Sequence, residues 1–334
     1  MPDKTKIALA LGALSLPLLA LGSTGFATAP DLDAGDSVRL LLLGDTGQLP
    51  VDGDPHKMDA SQRARLRAAL GAQDADAIVD LGDLFYNKAP KCGRGESPEG
   101  AGGKLDAHLY DHVGGLDLPV YMVLGNHDVG PIGEWAKRKL LGRRTGKRSK
   151  ARERCYRLYA QQRPGEMIFP GEAYGVDLGP ARLGLLHTSA PERTWPADEL
   201  KAWLAEDPDD WQILGGHHVL YEVCDKTDED FVLPWLQENE LQPDLWINGH
   251  AHLLQLSVVA GVPAVTSGAG SKLREFPDCD PTAHEGVEFG VSQYGFAVLD
   301  ITPETLRVSF RDIDGGELHC WQRGRDNPQG EACQ

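Results

Sequence analysis

Short apolar runs recur along the chain, and each ends in a polar turn that usually contains glycine. Six of them span residues 38–43, 77–81, 120–124, 183–186, 211–214 and 245–247. Continuous apolar runs of this length predict strands that are buried on both faces. Between the first two, residues 60–72 place Leu66 and Leu70 on one face, as an amphipathic helix does.

The alternation of strand, helix and strand predicts a parallel sheet. Residues 197–205 add a second helix of this kind. From about Leu254 the pattern becomes β-rich, over residues 254–266, 295–301 and 306–313. Residues 93–103 are rich in glycine and predict a mobile surface loop. The fold class is therefore α/β: a four-layer α/β/β/α sandwich of two mixed sheets flanked by helices.

The N-terminus has the pattern of an export signal. Lys4 and Lys6 precede the apolar run 7–21, and small residues follow. We expect residues 1–29 to be a signal peptide, cut after Ala27 or after Ala29, and residues 30–334 to form a single domain. The alternative is an uncleaved anchor. The protein is thus predicted to be exported, either secreted or periplasmic, with no membrane contact beyond the signal.

Composition limits the partners. Lys plus Arg total 33 against 50 Asp plus Glu, a net charge of −17 that disfavours broad nucleic-acid binding. Six cysteines in an exported chain permit three disulfides, and we expect Cys320 to pair with Cys333. The other pairings and the oligomeric state cannot be deduced. Residues 137–157 form a basic insertion with eleven Lys or Arg, either a solvated helix and loop or an electropositive rim that steers anions.

Side chains of the kind that bind metals follow several of the predicted strands. They are Asp45, Asp83, Asn126, His217, His250 and His252. The carboxyl ends of strands in an open α/β sheet meet at one rim, where ligands bind. Carboxylates packed there without a cation would repel each other, so two metal ions are expected. Hard oxygen and imidazole ligands without thiolate suit iron, manganese or zinc.

The ordered motifs around these residues resemble those of the calcineurin-like metallophosphoesterases. They are Gly-Asp at 44–45, Gly-Asp-x-x-Tyr at 82–86, Gly-Asn-His-Asp at 125–128, Gly-His-His at 216–218 and Gly-His-Ala-His at 249–252. Most of that superfamily has a metal-binding His where this chain has Gly47. This glycine and Tyr86 are similar to the purple acid phosphatases, especially the small tartrate-resistant type.

The resemblance implies a dinuclear centre of Fe(III) and a divalent ion, Fe, Mn or Zn. The implied ferric ligands are Asp45, Asp83, Tyr86 and His252, and the implied divalent ligands are Asp83, Asn126, His217 and His250. Asp83 would bridge the ions. A metal-bound hydroxide would attack a phosphomonoester in line with its leaving group. His127 would protonate that group, and Asp128 would orient the His127 imidazole.

The chain departs from this pattern in one respect. The tartrate-resistant enzymes have a further active-site His that residues 222–230 lack, and Lys226 falls near its place. His218 is the candidate that would contact the phosphate instead, and the alternative is that it only packs in the core. Two other functions stay open: a phosphodiesterase or nucleotide hydrolase with the same metals, and a non-catalytic polyanion-binding protein.

Overall fold

The computed structural model describes residues 25–32, 35–86, 89–109, 112–130, 150–189, 195–221, 223, 231–274 and 280–333. Two eight-stranded mixed sheets organise this part of the chain. In spatial order the first sheet contains β1 (Ala27–Thr28), β6 (Ala173–Asp177), β7 (Ala181–Leu186), β8 (Trp211–Gly216), β9 (Leu245–Asn248), β11 (Val262–Ser267), β10 (Leu254–Val259) and β12 (Val287–Val291). Strands β7, β8, β9 and β11 are parallel.

The second sheet has the order β16 (Glu331–Ala332), β15 (Glu317–Gly324), β14 (Thr305–Asp312), β13 (Gly295–Ile301), β2 (Val38–Leu43), β3 (Ala77–Asp80), β4 (Val120–Met122) and β5 (Met167–Ile168). Strands β2 to β5 are parallel, and the apolar runs that form β2, β3 and β4 are largely buried on both faces, as is usual in parallel sheets. Strands β13 to β16 are antiparallel hairpin partners, as the β-rich C-terminal pattern predicts.

Six α-helices connect or cover the strands within the described ranges. They are α1 (Ala60–Gly71), α2 (Pro98–Leu105), α3 (Asn126–Val129), α4 (Lys150–Gln162), α5 (Ala197–Leu204) and α6 (Val232–Glu238). Helix α1 begins at a capping box, in which Asp59 and Gln62 each satisfy the other's backbone N–H.

The main core lies between the two sheets. Leu41 and Phe296 from one sheet and Ile213 and Val265 from the other are all fully buried in one cluster. A second cluster, including Leu200, lies where α5 and α6 cover the outer face of the first sheet. The predicted α/β/β/α fold class is thus confirmed, and the layers hold the strand ends that carry the polar motifs.

The prediction of a surface loop over residues 93–103 is wrong from residue 98 onward, whereas residues 93–97 do form an exposed loop. Helix α2 begins after this loop, because Ser97 caps the helix by accepting a hydrogen bond from the Gly100 N–H, and Pro98 fits the first turn. Ala101 and Leu105 are fully buried, and α2 packs against α4. Tertiary burial has overridden the poor helix propensity of glycine.

The disulfides agree with an oxidising compartment. Cys320 pairs with Cys333, which confirms the predicted bridge. Cys92 pairs with Cys155 and ties the segment before α2 to α4, with the two Cα atoms 5.1 Å apart. Cys224 and Cys279 lie outside the described residues.

The N-terminal part of the described chain belongs to the folded body. Ala27 and Thr28 form β1 alongside β6, and the Phe26 ring lies 5.4 Å from that of Trp203. A cut after Ala27 would therefore divide this strand. Residues 1–24 lie outside the described part, and the signal peptide stays a prediction. Within the ranges described, no helix combines the length and the apolar character needed to cross a bilayer.

Candidate metal centre

The parallel strands of both sheets end at a common rim. Asp45, Asp83 and Asn126 follow β2, β3 and β4 of the second sheet, while His217 follows β8 and His250 follows β9 of the first. Backbone hydrogen bonds join the strand ends of the two sheets, from Gly44 N–H to the Ser267 carbonyl at 2.7 Å and from Gly270 N–H to the Gly44 carbonyl at 3.1 Å. The sheet packing thus brings together side chains that are far apart in sequence.

Three of these residues have backbones in the left-handed region. Asp45, Asp83 and His250 have φ angles of 59°, 56° and 68°. This conformation is uncommon for residues with a Cβ and persists only where the surroundings enforce it. Here it turns each side chain from the strand end toward the rim. Backbone strain of this kind clusters at functional sites.

One group of side chains contains a phenol. Tyr86 donates a hydrogen bond from Oη to Asp45 Oδ1 at 2.6 Å, and the same Oη lies 2.8 Å from His252 Nε2. His252 Nε2 is also 3.3 Å from Asp45 Oδ1. Burial, and then the charges of Asp45 and Asp83, raise the pKa of Tyr86 well above 10.0. A cation at this point would favour the phenolate instead.

The second group contains no acid. His217 donates from Nδ1 to the Leu81 carbonyl at 2.8 Å, and burial lowers its pKa to about 3, so its Nε2 carries a lone pair. That Nε2 lies 3.0 Å from Asn126 Oδ1, and His250 Nδ1 lies 3.1 Å from both atoms. His217 Nε2 and Asn126 Oδ1 are therefore two acceptors in contact. A cation bound to both atoms would remove their mutual repulsion.

Asp83 lies between the two groups. Its Oδ1 is 3.4 Å from His217 Nε2, and one ligand atom from each of Asp45, Asp83 and His217 lies within 4.8 Å of the others. Ligand bonds of about 2.0–2.2 Å place neighbouring donors on one ion about 3 Å apart. The donor set and its spacing thus fit a bound metal, with Asp83 next to both groups.

Gly47 has no room for a side chain. A Cβ there would lie 2.3 Å from the Leu84 carbonyl carbon and from the Phe85 nitrogen. The Gly47 N–H donates to the Asp83 carbonyl at 2.9 Å, which keeps the two chain segments in contact. A histidine ligand is therefore sterically excluded at this position, and Tyr86 brings its phenol to the same group.

His127 lies at the opening of the site. Its side chain is 34% exposed, and its Nε2 is 3.9 Å from Asp83 Oδ2. The ring lies 4.9 Å from that of Tyr86, and the His127 backbone N–H donates to Asp83 Oδ1 at 2.9 Å. Burial, and next the charge of Lys272, lower the pKa of His127 to about 4. The structure thus leaves this imidazole accessible beside the candidate bridging ligand.

The Asp128 carboxylate is fully buried and holds several neighbouring segments of the chain. Asp128 accepts hydrogen bonds from Gly125 N–H at 2.7 Å, Leu84 N–H at 3.2 Å and Tyr156 Oη at 2.7 Å. These donors come from the loops after β3 and β4 and from α4. Asp128 therefore holds the backbone that carries the site, and its role in orienting the His127 imidazole stays a prediction.

His218 is fully buried. Thr188 Oγ1 accepts from the His217 and His218 amides at 3.0 Å each and lies 2.9 Å from His218 Nδ1. The His218 ring packs 4.6 Å from that of His250 and 4.9 Å from that of Phe231. Contact with phosphate stays a prediction for His218, and Lys226 lies outside the described residues.

Sequence reasoning missed Thr188, Tyr156 and Lys272. Thr188 and Tyr156 support the site from behind, and Lys272 Nζ lies 4.8 Å from the Tyr86 ring centroid. Thr188 follows β7 but lies outside the quoted motifs, and Tyr156 and Lys272 follow no predicted strand directly. No periodicity or spacing in the chain points to them.

Comparison with known proteins agrees with this geometry. Residues 38–254 match the calcineurin-like phosphoesterase family. The chain is 28% identical over 314 residues to purple acid phosphatase 4 of Arabidopsis thaliana, covering 89% of this chain and 86% of the relative. It is 23% identical over 311 residues to tartrate-resistant acid phosphatase type 5 of Oryctolagus cuniculus, covering 85% and 90%.

A solved structure supports the fold. A purple acid phosphatase from yellow lupin (Lupinus luteus) seeds aligns with a TM-score of 0.57 at 17% identity, covering 87% of this chain and 55% of that one. The predicted resemblance is confirmed, since the family match covers well over half of the chain. The chain therefore belongs to the calcineurin-like phosphoesterase family, and the buried group of Asp45, Asp83 and His217 fits the dinuclear metal site that this membership implies.

Proposed function

We propose that this chain is an acid phosphatase of the purple type, which hydrolyses phosphomonoesters at a centre of Fe(III) and a divalent ion. One observation carries the proposal: the Tyr86 Oη lies 2.6 Å from Asp45 Oδ1 and 2.8 Å from His252 Nε2, within the group of candidate ligands. A phenolate is a hard, strongly donating oxygen, and it stabilises a ferric ion.

The charges of the ligands suggest which ion each group holds. Asp45 and Tyr86, with His252, supply two anionic oxygens to the ferric side. Asn126, His217 and His250 are neutral and leave Asp83 as the only acid on the divalent side, which suits Fe, Mn or Zn. The Leu81 carbonyl fixes the His217 tautomer, so that Nε2 faces its ion.

When bound, the two ions acidify a water and clamp the phosphate oxygens. The chain's own residues supply the remaining steps. The His127 imidazole at the opening donates a proton to the leaving oxygen, and the lowered pKa of about 4 means that its protonated fraction grows as the pH falls. This direction favours an acidic pH optimum. The His127 amide keeps Asp83 Oδ1 oriented.

The test is a visible spectrum of iron-loaded, oxidised protein together with phosphomonoester turnover. We expect a phenolate-to-Fe(III) charge-transfer band that Tyr86→Phe abolishes. Tyr174→Phe is the matched control, because Tyr174 is also buried but donates to the Met122 carbonyl away from the ligands. A colourless iron-loaded protein with full iron content would refute the ferric assignment.

The described part of the basic insertion gives no support to a polyphosphate or diester substrate. Arg152 donates to the Gly130 carbonyl, and Arg154 donates to the Cys92 carbonyl at 3.0 Å, so both hold α4 to its neighbours. Residues 137–149 lie outside the described ranges. Comparing turnover of a monoester, a diester and a nucleoside triphosphate decides between these substrates. Export, to the medium or the periplasm, belongs to the same proposal and suits the disulfides.

A further inference from the structure

A short segment after β11 reaches the metal centre with its backbone held on two sides. Met58 N–H donates to the Ser271 carbonyl at 3.1 Å, and Leu273 N–H donates to the His56 carbonyl at 2.9 Å. Lys57 and Lys272 thus face each other in an isolated antiparallel bridge. A residue held in this way presents its side chain at a defined place at little cost in backbone entropy.

The same segment is joined to the candidate ligands. Ser271 Oγ donates to the Asp45 carbonyl oxygen and accepts from the Gln48 N–H, at 3.0 Å for the latter. The Arg274 N–H donates to the His252 carbonyl at 3.2 Å. Lys272 lies between these two connections, so its position relative to Asp45 and His252 is set by the fold.

The Lys272 side chain extends over the site. Its Nζ lies 4.8 Å from the Tyr86 ring centroid, a cation–π distance, and its charge acts on Asp45, Asp83 and His127. The His127 ring contacts the same tyrosine ring from 4.9 Å. Two nitrogen side chains therefore border Tyr86 where the site opens.

No carboxylate of the described residues lies within salt-bridge distance of Lys272 Nζ. Lys57, directly across the bridge, differs, because its Nζ pairs with Asp54 at 2.6 Å. A half-buried ammonium without a close anionic partner is costly to keep in place for structure alone. An anionic ligand at the opening would supply that partner.

We propose that Lys272 binds a non-bridging phosphate oxygen of the substrate and thereby favours phosphomonoesters over phosphodiesters. This inference rests on the proposed phosphatase function. A monoester carries two negative charges above its second pKa of about 6, whereas a diester carries one, so a cation beside the phosphate favours the monoester.

The experiment compares Lys272→Met with the wild type at pH 7. Loss of one charge-assisted hydrogen bond should raise KM for a phosphomonoester and the Ki of inorganic phosphate by about 10- to 100-fold, with a smaller change in kcat. The KM of a diester should rise several-fold less. Lys272→Arg, which keeps the charge, should stay close to the wild type, and so should Lys57→Met, which removes a lysine that already has a partner.

A spectroscopic signal separates ligand binding from general damage. The ammonium stabilises electrons on the Tyr86 phenolate, so its removal should move the charge-transfer band of the iron-loaded protein to longer wavelength. An unchanged Ki, KM and band position in Lys272→Met, with wild-type metal content, would overturn the proposal while leaving the phosphatase function intact. A wild type that turns over no monoester would overturn the function instead, and calorimetric binding of inorganic phosphate would still measure the contribution of Lys272.

Discussion

Apart from Asp83, each half of the candidate metal centre has three candidate ligands, but the two sets differ in charge. The tyrosine half contains Asp45, Tyr86 and His252, with two acidic oxygens 2.6 Å apart. The histidine half contains Asn126, His217 and His250, whose facing atoms lie 3.0–3.1 Å apart and include no acid. The placement of one carboxylate and one phenol on the same side of the rim is therefore enough to make the two sets of candidate ligands differ in charge.

The halves also differ in how the chain supports them. His217 in the histidine half is held by the Leu81 carbonyl and by Thr188. The tyrosine half lies beside the opening, where His127 and Lys272 border the Tyr86 ring. The tyrosine half therefore contains the Tyr86 phenol, the strongest electron donor among the candidate ligands, beside the two side chains at the opening. We expect metal retention and catalysis to respond differently to changes on the two sides.

The largest effect should follow from removing the ligand that both halves share. Asp83→Ala should lose both ions, and turnover should fall about 1,000-fold or more, because two-metal stabilisation contributes several kcal/mol. Elemental analysis and initial rates measure this, with circular dichroism as the fold control. Full occupancy of both ions in a folded variant would show that Asp83 is not the bridge.

Asn126→Ala should separate the halves. It removes a neutral oxygen from the histidine half only, so the divalent ion should bind at least about 10- to 100-fold more weakly while the visible band persists. Metal titration followed by absorption spectroscopy makes the measurement. If the band disappears and the divalent ion stays, the two halves have been assigned the wrong way round.

His127→Gln tests whether His127, at the opening beside the tyrosine half, donates the proton to the leaving group. The rate for a poor leaving group should fall about 100-fold at acidic pH. A substrate with a phenolic leaving group of low pKa should lose much less, because it needs no proton. Because the pKa of His127 is lowered to about 4, its protonated fraction falls as the pH rises. The difference in rate between His127→Gln and the wild type should therefore become smaller at higher pH. Equal losses for both leaving groups at all pH values would contradict the role as proton donor.

The smallest effect concerns a histidine behind the tyrosine half. His112 is fully buried and contacts the Thr46 carbonyl at 3.0 Å through Nδ1, and burial lowers its pKa well below 6.5. Below pH 6.5 the His112 imidazole binds a proton in the unfolded chain but stays neutral in the folded chain until the pH reaches the lowered pKa. Its contribution to stability is therefore complete above pH 6.5 and is lost as the pH falls toward the folded pKa.

The slope expected from one such proton is about 1.4 kcal/mol per pH unit. His112→Gln should make the decline in the free energy of unfolding between pH 6.5 and 5 shallower by up to this amount, as urea denaturation would show. Thr188→Val, behind the histidine half, removes no titrating group and should leave the slope unchanged. An identical slope in His112→Gln and the wild type would mean that His112 is protonated in both states.

The strands and the candidate ligands could be predicted because their information is local. The runs that became β2, β3 and β4 are continuous and apolar, and Asp45, Asp83 and Asn126 follow them directly or within a few residues. Burial on both faces leaves few other structures for such runs. Helix α2 was missed because glycine has a poor helix propensity, and packing against α4 adds the stability that its composition lacks.

The supporting contacts could not be predicted because they join segments with no common pattern. Tyr156 reaches Asp128 across 28 residues, and Cys92 pairs with Cys155 across 63. Six cysteines permit many pairings, and only distance in the folded state selects one. Lys272 is one lysine among many in sequence, and tertiary contacts, including the bridge to Lys57, place it beside Tyr86.

The sequence by itself determined the sheet class, the order of the polar strand ends and the chemical kinds of ligand, since each depends on neighbouring residues. Tertiary structure alone decided the distances between those ligands, why Gly47 cannot be a histidine, and which backbone groups the Asp128 carboxylate holds. The physical reason is that charge, space and hydrogen-bond partners at the rim come from both sheets at once. These properties of the rim are therefore fixed only once the two sheets have packed against each other.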